Sequence, residues 1–95
     1  MNKQELIERM ADKTRLTKKD CGAVLDSLLS TVTEALQEGE PVKLSGFGSF
    51  EAKRRAARTG RNPQTRETVE IPAQIVPAFK AGKGLKESVA GQREN

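Results

Sequence analysis

Fifteen consecutive residues, Ala52 to Arg66, hold six basic side chains (Lys53, Arg54, Arg55, Arg58, Arg61 and Arg66) and no acidic one. The stretch has three alanines but no Leu, Ile, Val or aromatic residue. It cannot supply a core, because burying unpaired charge costs far more than a few alanines return. It has to project into solvent. Gly60-Arg61-Asn62-Pro63 sits inside it as a turn signal. A cationic arm with a proline near its tip suits a partner of dense negative charge, and nucleic acid is the first candidate.

The charge is segregated along the chain. Residues 1–50 hold seven Lys/Arg and eight Asp/Glu, a net of −1, whereas residues 51–95 hold ten and five, a net of +5. The 95 residues make one small domain, and only 35% of them are hydrophobic. A chain of this size buries a small fraction of its surface, so dimerisation is the simplest remedy. One cysteine, Cys21, excludes an intrachain disulfide and fits a reducing compartment. The first residues are polar, and no apolar run approaches the roughly 18 residues of a membrane span. The expected location is therefore the cytoplasm or nucleoid, with no membrane partner.

Periodicity divides the rest of the chain. Asn2 with Glu5 predicts a capping box, followed by a helical face of Leu6, Ile7, Met10 and Ala11. Thr17 with Asp20 predicts a second helix start. Cys21, Val24, Leu25, Leu28, Leu29, Val32, Ala35 and Leu36 then recur at steps of three and four. Gly39 ends that helix and Pro41 prevents its resumption, giving an αα-hairpin. At Val42-Lys43-Leu44 the period becomes two. Ser45 to Gly48 reads as a hairpin bend, and a strand from about Ser49 runs into the arm. Val69 and Ile71 mark the returning strand, while Pro72 and Pro77 are expected to interrupt its pairing. A regular ribbon puts Lys53, Arg55 and Arg61 on one face, and Arg54 and Arg58 on the other. Phe47, Phe50 and Phe79 read as core. Lys83 to Val89 reads as a short helix, and residues 91–95 as a frayed tail. The expected fold class is α+β.

Little here suits catalysis. There is no histidine, the commonest general base and metal ligand. A single cysteine cannot build a structural zinc site, and Cys21 on the helical stripe reads as a small core residue. The glycines form neither a dinucleotide fingerprint nor a P-loop. No enzyme, cofactor or metal is expected. Trp and Tyr are absent, which disfavours a single-strand binder built on stacking platforms.

The residues Gly46-Phe47-Gly48-Ser49-Phe50, Ala56 to Pro63, Ile71-Pro72-Ala73 and Val76 to Lys80 resemble the bacterial histone-like HU / integration host factor family, over about residues 1–90. The resemblance implies an intertwined homodimer with a helical base, a three-stranded antiparallel sheet and two protruding β-ribbon arms (about 53–76) that embrace duplex DNA. That family belongs to the minor-groove architectural proteins, which insert apolar wedges between base steps. Read from its residues alone, Asn62-Pro63 is first a turn. The resemblance adds a wedge role for Pro63, whose rigid apolar ring has no N–H to desolvate. The basic run itself makes Lys53, Arg54, Arg55, Arg58, Arg61 and, beside the wedge, Asn62 and the added charge of Arg66 the expected DNA contacts of the arm. The resemblance implies further contacts from Lys3, Lys80, Lys83 and Lys86 on the body and flanks. Gly46 and Gly48 match backbone-permissive positions near the DNA. Arg15 and Arg66 depart from the family, which commonly has glycine at both places. If Arg66 needs a positive φ, arginine there costs about 1 kcal/mol.

The expected function is non-enzymatic bending and compaction of double-stranded DNA with little sequence preference. The alternatives are a sequence-specific subunit like integration host factor, and a module whose basic arm binds an acidic protein. RNA stays open as a second nucleic-acid partner.

Overall fold

A computed structural model describes residues 1–92. The chain divides into two compact units, Met1–Glu34 and Ala35–Asn95.

The first unit is a helical hairpin. Helix α1 spans Lys3–Thr14 and opens on the expected capping box: Asn2 Oδ1 accepts the Glu5 N–H at 2.8 Å, and Glu5 Oε1 accepts the Asn2 N–H at 3.3 Å. These bonds satisfy two of the donors that every helix start leaves open. The helix ends at Arg15, whose φ of 63° and ψ of 16° are left-handed. Thr17 Oγ1 then accepts the Asp20 N–H at 3.1 Å and starts α2, Lys18–Gln37. Cys21 and Leu25 of α2 are buried, at 2% and 7% exposure, so Cys21 is the small core residue that its place in the stripe implied. Part of the stripe is not covered, however: Val24 is 58% exposed, Leu28 47% and Leu29 50%.

In the second unit α2 stops at a Schellman motif. The Gly39 N–H donates to the Leu36 carbonyl at 3.1 Å and the Glu40 N–H to that of Ala35 at 2.8 Å, with Gly39 at φ 76°. Strand β1 (Val42–Leu44) turns through Ser45-Gly46-Phe47 into β2 (Gly48–Arg55), and β5 (Gln74–Ala81) lies on the other side of β2 in an antiparallel sheet of order β1-β2-β5. Strands β3 (Arg58–Arg61) and β4 (Thr68–Ile71) form a separate two-stranded ribbon. Helix α3 spans Lys83–Gln92. It is longer than the Lys83 to Val89 expected from the sequence, and takes in Gly91 and Gln92 of the expected tail. The rest of the expected tail, residues 93–95, lies outside the described residues.

Two further expectations are corrected. Pro77 does not interrupt pairing; it pairs with Ala52 inside β5. As β5 is an edge strand, a proline whose nitrogen faces away from β2 forfeits no ladder bond. Pairing does lapse at Pro72, as expected. The phenylalanines do cluster, with Phe79 centred 4.9 Å from Phe50 and 5.7 Å from Phe47. Yet Phe47 and Phe79 stay exposed within one chain, because the unit has too little apolar surface to cover them.

Arg15 stands in a left-handed conformation that glycine adopts without the Cβ clash. Arg15→Gly is expected to raise unfolding stability by about 1 kcal/mol, read as a higher urea midpoint at matched chain concentration.

Candidate nucleic-acid interface

The β2–β5 ladder runs from Gly48 opposite Ala81 to Arg55 opposite Gln74. Pairing resumes with Arg58 opposite Ile71 and ends with Arg61 opposite Thr68. Two residues on each strand, Ala56-Ala57 and Pro72-Ala73, separate the ladders. The register therefore carries through without a bulge, and side chains keep alternating between the same two faces. Lys53, Arg55, Thr59 and Arg61 share one face with their partners Val76, Gln74, Glu70 and Thr68. Arg54 and Arg58 share the other with Ile75 and Ile71. The Ile71 side chain lies over Gly60, where a built Cβ would be only 3.1 Å from its Cδ1. That contact places Gly60 on the same face as Ile71, as the register requires. Lys53 to Thr59 are all exposed, as is Arg61.

The arm tip is closed by its own backbone. The Asn62 N–H donates to the Glu67 carbonyl at 2.9 Å, and the Arg66 N–H donates to the Asn62 carbonyl at 2.7 Å. Asn62 Oδ1 accepts the Gln64 N–H at 2.9 Å, bracketing Pro63 in an Asx turn. Thr65 Oγ1 accepts the Glu67 N–H at 3.3 Å. Pro63 is left exposed at the apex. Arg66 has φ 61°, so the position does need the conformation that the sequence raised as a cost for arginine.

The body residues are spread more widely. Lys80 is in β5 opposite Ser49. Lys83 opens α3 and reaches Glu87 at 3.9 Å, and Lys86 follows one turn on. Lys3 is in the first unit, where its Nζ is 2.6 Å from Asp26 Oδ1. Both partners are more than half exposed, so this pair contributes little stability. Gly46 is at φ 82° in the β1–β2 turn. Gly48 is crowded: a built Cβ would stand 2.5 Å from Phe79 Cζ and 2.6 Å from the Lys80 carbonyl oxygen. Sequence reasoning passed over Lys43, which the register sets opposite Ser49. The alternation of Val42-Lys43-Leu44 was the signal that could have found it.

Comparison with known proteins places this architecture among bacterial DNA-binding proteins. The family model described as "Bacterial DNA-binding protein" matches residues 1–90, and the chain belongs to that family. Among curated relatives, the DNA-binding protein HU of Clostridium pasteurianum is 57% identical over 89 residues, covering 94% of this chain and 98% of the relative. DNA-binding protein HU 1 of Bacillus subtilis is 53% identical over 92 residues, covering 97% and 100%. A cocrystal structure of Anabaena HU with DNA aligns at a TM-score of 0.89 and 54% identity, covering 95% of this chain and 98% of that one.

The two glycines of the β1–β2 bend make a contrast. Gly48→Ala is expected to cost about 1–3 kcal/mol, since a methyl there meets both an aromatic ring and backbone. Gly46→Ala meets open space and should cost only the left-handed penalty of about 1 kcal/mol. Urea unfolding of both variants reads the difference.

Proposed function

We propose that this chain is a non-enzymatic architectural protein that binds double-stranded DNA with little sequence preference and bends it through minor-groove ribbon arms. The observation that carries the reading is the arm itself: an unbroken ribbon register, arginines on both faces and an exposed proline braced at the tip. The 54% identity to a chain crystallised with DNA supports it. Neither a sequence-specific subunit nor a module for acidic proteins draws support from any observation.

On this reading residues 1–90 act as one DNA-binding domain. Lys53, Arg54, Arg55, Arg58, Arg61 and Arg66 meet phosphates or enter the groove, where a guanidinium fits the negative potential of a narrow minor groove. Pro63 is the wedge. Asn62 has a structural share in the same act, because its carboxamide oxygen already holds the Gln64 N–H. Lys80, Lys83 and Lys86 add phosphate contacts from the body. Lys3 adds one only by exchanging Asp26 for a phosphate. Gly46 and Gly48 shape the bend beside them. The cytoplasmic nucleoid is the matching location.

Dimerisation follows from the uncovered apolar surface. Val24, Leu28 and Leu29 of α2, with Phe47 and Phe79, are exposed in the single chain, and a second copy is the partner always available. Sedimentation equilibrium is expected to give twice the chain mass of 10.4 kDa.

Duplex affinity measured against salt tests the DNA reading. Each neutralised phosphate contributes about 0.9 to the slope of log affinity against log salt. A steep slope, nearly equal for duplexes of unrelated sequence, is expected. A flat slope, or one sequence strongly preferred, contradicts it.

A further inference from the structure

The two β-ladders align three polar side chains in a row across the body of the sheet. Lys43 of β1 is opposite Ser49 of β2, and Ser49 is opposite Lys80 of β5. Paired residues on neighbouring strands point to the same face, so the row reads Lys43, Ser49, Lys80. The opposite face is fixed independently by the rings: Phe50 and Phe79, which are themselves paired, meet at a tilt of 48° with centroids 4.9 Å apart. The row therefore lies on the face away from the phenylalanines. A surface depression of about 320 Å³ opens there, lined among others by Lys43, Ser45, Ser49 and Lys80, with no acidic residue in its lining. Among the described residues neither lysine has a carboxylate within ion-pair distance.

We infer that Lys43, Ser49 and Lys80 form a phosphate-binding row on the three-stranded sheet, which takes a backbone phosphodiester of duplex DNA. This rests on the DNA-binding reading above and adds to it a contact residue, Lys43, and a place on the body where the duplex is held. Neighbouring strands are about 5 Å apart, so the outer lysines start about 10 Å from each other. Two flexible lysine arms converge on one phosphate from that separation, with the Ser49 hydroxyl between them as a neutral donor. The same face continues along β2 to Lys53 and Arg55 and into the ribbon to Arg61. The row thus begins a basic track that extends from the sheet to the arm. Glu51 interrupts it, and Glu70 stands beside it on β4. Since both are like-charged with DNA, the track leaves Lys43 and Lys80 as the cationic anchor at its body end.

The test uses the full-length protein and a short duplex of arbitrary sequence, comparing wild type with Lys43→Gln, Lys43→Arg and Lys13→Gln. Lys13 lies in the last turn of α1 and loses the same charge outside the row. In the dimer Lys43→Gln removes one lysine from each of two rows, so it is expected to lower the salt slope by about 2, and its affinity deficit changes by about tenfold between roughly 50 and 200 mM salt. Lys43→Arg should keep the wild-type slope, and Lys13→Gln should leave it unchanged. A wild-type slope in Lys43→Gln, or an equal loss in Lys13→Gln, overturns the row while leaving DNA binding intact. No salt-dependent duplex binding by the wild type removes both readings.

Discussion

Eight backbone pairs between β2 and β5 determine what the basic arm can do. An isolated two-stranded hairpin is at best marginally stable in water, and this ribbon carries six cations between Ala52 and Arg66 that repel one another. The ladder anchors it. From Gly48 opposite Ala81 outward, each pair sets the next, and the two-residue gap on both strands passes the register to β3 and β4 unchanged. A one-residue slip would move every arginine to the opposite face. The crowding at Gly48, where Phe79 and the Lys80 carbonyl leave no room for a side chain, fixes the starting point of that register.

Much of this was legible in the sequence, because the signals were local. Asn2 with Glu5, Thr17 with Asp20, and Gly39 are short-range hydrogen-bonding devices, and each appears where its chemistry puts it. The arm was legible by exclusion, since fifteen residues without a large apolar side chain have no place in a core. Non-local matters were less so. Pro77 looked like a break until β5 proved to be an edge strand, a fact of strand order rather than of residues. The phenylalanines read as core by type, but one chain lacks the area to bury them. Lys43 became conspicuous only when the register set it beside Ser49 and in line with Lys80.

The local conflicts are also informative. Arginine occupies left-handed backbone at both Arg15 and Arg66, each at about 1 kcal/mol. The first lies in a helix turn where no function is evident in the structure. The second lies at the arm tip, where an extra guanidinium beside Pro63 adds a cation where the partner is a polyanion. A strained residue with a ligand to meet is a familiar compromise. On the DNA-binding reading, the lysine row and the arm use the same physics: cations set at fixed register on a hydrogen-bonded ladder, where a phosphate replaces released counterions.

End-to-end energy transfer on a short, doubly labelled duplex of arbitrary sequence tests the central claim most directly. At saturating protein, transfer should rise, because the arms bend what they bind, and Pro63→Ala should bind while giving a smaller rise. Saturated binding with transfer unchanged from free duplex would contradict the account, leaving a protein that coats phosphates without bending DNA.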